Sequence, residues 1–180
     1  RGLQAFERDL EAAIAQMRAP PIVIAHSLGG LIAQRVAYRR PLAALGLLSP
    51  IPLHGVAGSV LALAKQSPTS VLKLGALALE PRISRLGEAP LGIYSSRVSK
   101  EARIVVTRRL QAESPLVLGQ SLFPRTTHQG PPPCPLKFWG AEGDHIIPAS
   151  EVRRAARDMR AEAKIFPGMS HIMQSEPDWR

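Results

Sequence analysis

An α/β fold, a parallel sheet packed with helices, is what these 180 residues predict, and three observations carry the prediction. A β-branched run, Ile22-Val23-Ile24, passes directly into an apolar helical pattern through one serine and two glycines. Amphipathic helix, short apolar strand, helix and strand follow one another up to Ser49 at the spacing of βαβ units. After Pro131-Pro132-Pro133 the rhythm returns as strand, helix and strand. Units of this kind predict a sheet covered on both faces.

Leu3, Phe6, Leu10, Ile14 and Met17 recur every three or four residues among Glu7, Arg8, Asp9 and Glu11, which predicts a helix ended by Pro20-Pro21. Ile22, Val23 and Ile24 then read as a buried strand, and the next helix runs to about Tyr38 with Leu31, Ile32 and Val36 inward. Residues 42–48 form a second strand closed by Ser49-Pro50, completing a first core part at 1–49. Between 50 and 130 no strand-like alternation is present. Prolines punctuate helical patterns at 56–65, 70–79, 99–113 (Ser99 as N-cap) and 116–123, the last opened by Ser114-Pro115. A single crossover seldom needs four helices, so this stretch reads as a helical insertion between two sheet strands. Residues 131–180 complete the core: a strand opened by Cys134 and running to Gly140, a helix capped by Ser150 and continuing to Glu162, and a short strand at 164–168.

Bulk composition narrows the functional classes. Hydrophobic residues make up 45% of the chain and aromatics only 4%, so the core must be aliphatic. The formal net charge of +9 invites a polyanion partner, yet Arg39-Arg40, Arg108-Arg109, Arg153-Arg154, Arg157 and Arg160 are scattered without interleaved aromatics. They read as a solvated surface: no nucleic-acid partner is expected, and nothing in the sequence supports contact with a membrane surface. The one cysteine, Cys134, permits neither an internal disulfide nor a zinc cluster and reads as a buried thiol. No apolar run reaches the roughly 18 residues of a membrane span, and a cytoplasmic chain is expected.

Chemistry concentrates in three places. Strand, Ser27 and helix together have the form of a nucleophile elbow, which lifts a serine hydroxyl above the sheet and aims the Leu28 N–H at a reacting oxygen. Bulk two residues either side of Ser27 is expected to be excluded, consistent with Ala25 and Gly29. The loops after the last two strands carry Asp144 and His171, and in parallel sheets ligands gather at the carboxyl ends of strands. A serine hydroxyl needs a base to take its proton, a neutral imidazole can be that base, and a carboxylate can hold the ring in the useful tautomer.

These residues resemble the α/β-hydrolase family. Its elbow motif Gly-X-Ser-X-Gly stands here as Ala25-His26-Ser27-Leu28-Gly29; its acid loop is matched by Gly140, Asp144, Ile146, Ile147 and Pro148; its histidine loop by Pro167-Gly168-Met169-Ser170-His171. The order serine, acid, histidine is also the family's. One extra residue between Gly140 and Asp144 leaves Glu142 as a rival acid. The resemblance implies an α/β-hydrolase fold whose 50–130 insertion is a lid, and whose catalytic residues are Ser27, Asp144 and His171 with Leu28 in the oxyanion hole. It further implies a small-molecule acyl ester as substrate, with the insertion's leucines (Leu61, Leu63, Leu72, Leu74, Leu77, Leu79) pointing to an apolar acyl group. No cofactor and no metal are implied. The family's elbow follows at least three more strands, one of which supplies a second oxyanion donor, so those N-terminal strands are expected to be absent from this chain. Ser175 to Arg180 likewise resembles the start of the family's closing helix. Thioesterase, amidase and acyltransferase chemistry would use the same three residues, and a non-catalytic binding module would keep the same fold. His26 is expected to pack beneath the elbow; His54, His128 and His145 have no ligand spacing; Met169 and Met173 read as pocket wall or core.

Overall fold

The computed structural model describes residues 1–80, 91–126 and 130–179. Its elements run α1 (Leu3–Ala15), β1 (Ile22–His26), α2 (Ser27–Val36), β2 (Ala44–Leu48), α3 (Ala57–Gln66), α4 (Pro68–Leu79), α5 (Lys100–Arg109), α6 (Pro115–Leu122), β3 (Leu136–Ala141), α7 (Ala149–Asp158) and β4 (Glu162–Phe166). The four described strands form one sheet in the order β1-β2-β3-β4, every neighbour parallel.

The register decides which side chains share a face. Leu47 pairs with Phe138, and a Cβ at Gly30 of α2 would come within 3.7 Å of Leu47. A Cβ at Gly140, two residues on from Phe138, would meet Val152 of α7 at 3.1 Å. Thus α2 and α7 cover the same face, and Val23, Ala25, Leu45, Leu47, Phe138, Ala163 and Ile165 pack beneath them in the main core. The expectation of helices on both faces is corrected here. Strand order advances one way without reversal, and right-handed crossovers then deliver successive helices to one side. On the other face Ile22 and Ile24 are each 69% exposed, so β1 is not the buried strand its composition suggested. Among the described residues that face is closed only toward the carboxyl ends of the strands, where Ala141, Met169 and Met173 form a second cluster against Leu48, Trp139 and Phe166.

Local signals set most boundaries and missed some. Ser99 caps α5 by accepting from the Ala102 N–H at 3.1 Å, and Ser114-Pro115 opens α6. The Ser114 hydroxyl is engaged instead by the Arg1 amino group at 3.1 Å. Helix α7 begins one residue before Ser150 and stops at Asp158, earlier than expected; Arg160 at φ 52° turns the chain, and Glu162 already lies in β4. Met17 falls beyond the end of α1 and is exposed. Cys134 precedes β3 rather than opening it and is half-buried, and burial pushes its thiol pKa up. A 3-10 turn, Met173–Ser175, ends where a closing helix was expected to start, and no helix follows it among the described residues.

Ion pairs absorb part of the arginine excess. Glu7, buried on α1, accepts from Arg35 Nε at 2.5 Å and Arg39 Nη2 at 2.6 Å, and Glu11 from Arg39 Nε at 2.8 Å. The Arg39 hydrogen bond holds the Glu11 carboxyl below its usual range. Arg35 therefore clamps α1 to α2, and Arg39 and Arg40, read as solvated, tie the turn after α2 to α1, Arg40 through Glu11 at 3.4 Å.

Candidate active site

Ser27 opens α2 directly at the end of β1 with φ at 52°, the left-handed region that costs a non-glycine residue conformational energy. The turn is held by Ile51, whose N–H donates to the Ser27 carbonyl at 3.0 Å. Tightness lies elsewhere than expected. A Cβ at Gly29 would meet nothing within 4 Å, whereas one at Gly30 would lie 2.6 Å from Pro50 Cβ. Gly30, not Gly29, is the glycine that close packing requires. Leu28 is the second residue of α2, so its N–H has no partner one turn back and is left for another acceptor.

Asp144 follows β3 and is 3% exposed. One carboxylate oxygen, Oδ1, accepts from the Ile146 N–H at 2.9 Å and the Ile147 N–H at 2.8 Å. The other, Oδ2, accepts from His171 Nδ1–H at 2.8 Å. That bond fixes the tautomer: with Nδ1 protonated, the neutral ring presents a bare Nε2. Ser27 Oγ sits 3.0 Å from this Nε2. Serine, imidazole and carboxylate, 144 and 27 residues apart along the chain, thus form one continuous hydrogen-bonded run. Glu142, the rival acid, does not reach the ring; its Oε2 accepts from the Gly168 N–H at 3.4 Å.

Supports around His171 were not legible beforehand. Its main-chain N–H donates to Gly92 O at 2.9 Å, and its carbonyl accepts from His26 Nε2–H at 2.8 Å. Burial, reinforced by the neighbouring His171 ring, pushes the His26 pKa down to about 4. His26 is therefore a neutral donor that braces the neighbouring histidine, with ring centroids 4.8 Å apart. Gly92, at φ 80°, lies so close to the acid loop that a Cβ would fall 2.4 Å from His145 N. No pattern in a single sequence marks Gly92, because its partners stand more than fifty residues away.

Remaining histidines have ordinary partners. His54 pairs with Glu151 at 2.9 Å, and His145 Nδ1 lies 2.9 Å from Gln66 Oε1, which ties the end of α3 to the acid loop. His128 lies outside the described residues. Among the described residues no group of three or more His, Cys, Asp or Glu could hold a metal ion, and no helix is long and apolar enough to cross a membrane. An apolar groove of about 480 Å³, lined by Ile24, His26, Leu48, Trp139, Phe166 and Met169 among others, runs beneath the strand ends on the face opposite α2 and α7. Met169 and Met173 both line it and both belong to the second buried cluster.

Comparison with known proteins places this architecture. The sequence model of the alpha/beta hydrolase family matches residues 1–179. Among solved structures, a monoacylglycerol lipase from Paleococcus ferrophilus superposes with a TM-score of 0.58 at 20% identity, over 99% of this chain and 70% of that one. A thermophilic esterase from Thermogutta terrifontis gives 0.66 at 18% identity, over 98% and 67%. A bromoperoxidase from Bacillus anthracis gives 0.66 at 10% identity, over 94% and 67%. Identities this low establish a common fold only. No curated protein matches the chain by sequence.

Proposed function

The chain belongs to the α/β hydrolase family, and from that premise we propose that it is a serine hydrolase cleaving carboxylic esters through Ser27, His171 and Asp144. The observation that carries the reading is the unbroken run from Ser27 Oγ through His171 Nε2 and Nδ1 to Asp144 Oδ2, at 3.0 and 2.8 Å. Ser27 Oγ attacks the ester carbonyl while His171 Nε2 takes its proton. Asp144, saturated by two main-chain donors and the ring, stabilises the imidazolium without taking a proton. The Leu28 N–H receives the developing oxyanion; one such donor is worth roughly 100- to 1000-fold in rate. His171 hands its proton to the departing alcohol, leaving an acyl group on Ser27. Water, deprotonated by the same imidazole, then releases the acid.

The 50–130 insertion is the lid in this reading. Its α3 meets the acid loop through Gln66 and His145, and Leu61, Leu72 and Leu79 of α3 and α4 stay exposed, which favours an apolar acyl substrate. A fluorophosphonate probe tests the nucleophile. Labelling of the wild-type chain that vanishes in Ser27→Ala is expected; labelling equal in both would overturn the reading and leave a binding module. A series of p-nitrophenyl esters of increasing chain length then tests the substrate, with kcat/KM expected to rise beyond acetate.

A further inference from the structure

Glu176 is 1% exposed, yet no step above uses it. A carboxylate withdrawn from water is costly unless its oxygens are met by donors. Here both are. Oε1 accepts from the Ser170 N–H at 3.1 Å and Oε2 from Ser95 Oγ–H at 2.7 Å. Ser170 immediately precedes His171, so the first bond fixes the peptide that feeds the ring. Ser95 belongs to the insertion and is itself anchored: its Oγ accepts from the Arg97 N–H at 3.1 Å, and its carbonyl from Arg103 Nη2 of α5 at 2.8 Å. The same two segments also meet through main chain, His171 N–H to Gly92 O at 2.9 Å and Ile172 N–H to Ile93 O at 3.1 Å.

We propose that Glu176 is a positioning residue, whose buried carboxylate fixes the loop bearing His171 against the 91–98 segment of the insertion. The proposal rests on the role given to His171 above. Bonds to an ionised acceptor are shorter and stronger than neutral ones, and two of them converging from different segments leave the loop little freedom. The consequence is chemical, because the distance from Nε2 to Ser27 Oγ governs proton transfer, and a misplacement of about 1 Å costs roughly 100-fold.

The test compares Glu176→Ala, Glu176→Gln and Ser95→Ala with wild type, using p-nitrophenyl butyrate and Ser27→Ala as the blank. Glu176→Ala is expected to lower kcat about 100-fold while KM stays within about twofold. Glutamine keeps an acceptor for Ser170 and a donor for Ser95, so Glu176→Gln is expected to restore most of kcat. Ser95→Ala, losing one bond of the two, is expected to fall between them. A second readout does not need turnover: the far-downfield proton NMR signal of His171 Nδ1–H, assigned by its absence in His171→Ala. It is expected in wild type, Glu176→Gln and Ser27→Ala, and lost in Glu176→Ala. A folded Glu176→Ala with wild-type kcat and an unchanged signal overturns the proposal. Should Glu176→Ala fail to fold, Ser95→Ala decides, and wild-type kcat and signal there overturn it as well. If wild type hydrolyses nothing beyond Ser27→Ala, the functional reading fails, while the His171 signal still judges Glu176.

Discussion

Asp144 and His171 are 3% and 6% exposed, with their side-chain polar atoms engaged, whereas α5 buries none of its residues and α4 only Ser70. The first region is two short loops, the second a set of regular helices, so regularity of backbone does not track burial and bonding here. What separates them is partners. The loops are cross-linked by hydrogen bonds between residues far apart in sequence, while the helices of the insertion satisfy their own backbone and leave Leu61, Leu72, Leu79, Ile104 and Val105 in solvent. Cross-linked loops can hold atoms at reaction distance, and the helices of the insertion reach them at a few points, Gln66 of α3 at His145 and Arg103 of α5 at Ser95.

The contrast can be broken by substitution, starting with the largest effect. Asp144→Asn should cost about 10⁴-fold in kcat, since the amide presents the wrong hydrogen-bonding partner to His171 Nδ1; ester hydrolysis by the purified variant measures it, and a loss under tenfold would deny the loop its role. Within the insertion, Leu63 at 2% exposure and Leu72 at 75% should part company. Leu63→Ala should destabilise by about 2–5 kcal/mol and Leu72→Ala by no more than about 0.5 kcal/mol in urea unfolding. Equal losses would mean that α4 is packed as tightly as the loops.

Acid should strain the loop region through His26. Its pKa of about 4 in the folded chain lies below the ordinary 6.5, so the unfolded chain binds the proton first. Stability from this group is complete above pH 6.5 and is lost as pH falls toward 4, on the order of 3 kcal/mol in all. His26→Gln, which keeps an N–H donor, should flatten the stability profile between those pH values. An unchanged slope would remove His26 as the cause. Smallest is the glycine pair. Gly30→Ala must push Pro50 aside and should cost about 1–3 kcal/mol, whereas Gly29→Ala has open space in a helix and should be neutral or stabilising by up to about 1 kcal/mol. Thermal unfolding of the two variants sharpens where the elbow is tight.

Much of the candidate site was legible because its residues are announced locally. A strand breaking into a helix at Ser27, Asp144 followed by two aliphatics and a proline, and Pro167-Gly168 ahead of His171 are signals that lie within a few residues. The fold class followed from periodicity in the same way. Two failures in placing side chains share a cause: the deciding partner was remote. Gly29 was expected to be small because it lies two residues from the serine, but Pro50, brought in from beyond β2, makes Gly30 the constrained residue. Ile22 and Ile24 looked buried by composition, but strand order set which face the helices cover.

By itself the sequence determined the succession of strands and helices, the cap at Ser99, the helix start at Ser114-Pro115, and the three residue types able to pass a proton. These are short-range properties, written in propensities and spacings that no distant residue can alter much. Only the tertiary structure decided that Asp144 rather than Glu142 meets the ring, that His26 stays neutral and braces His171, and that the carboxylate of Glu176 joins two segments 81 residues apart at Ser95. Those outcomes depend on distance and on exclusion of water, and neither exists until the chain has closed on itself.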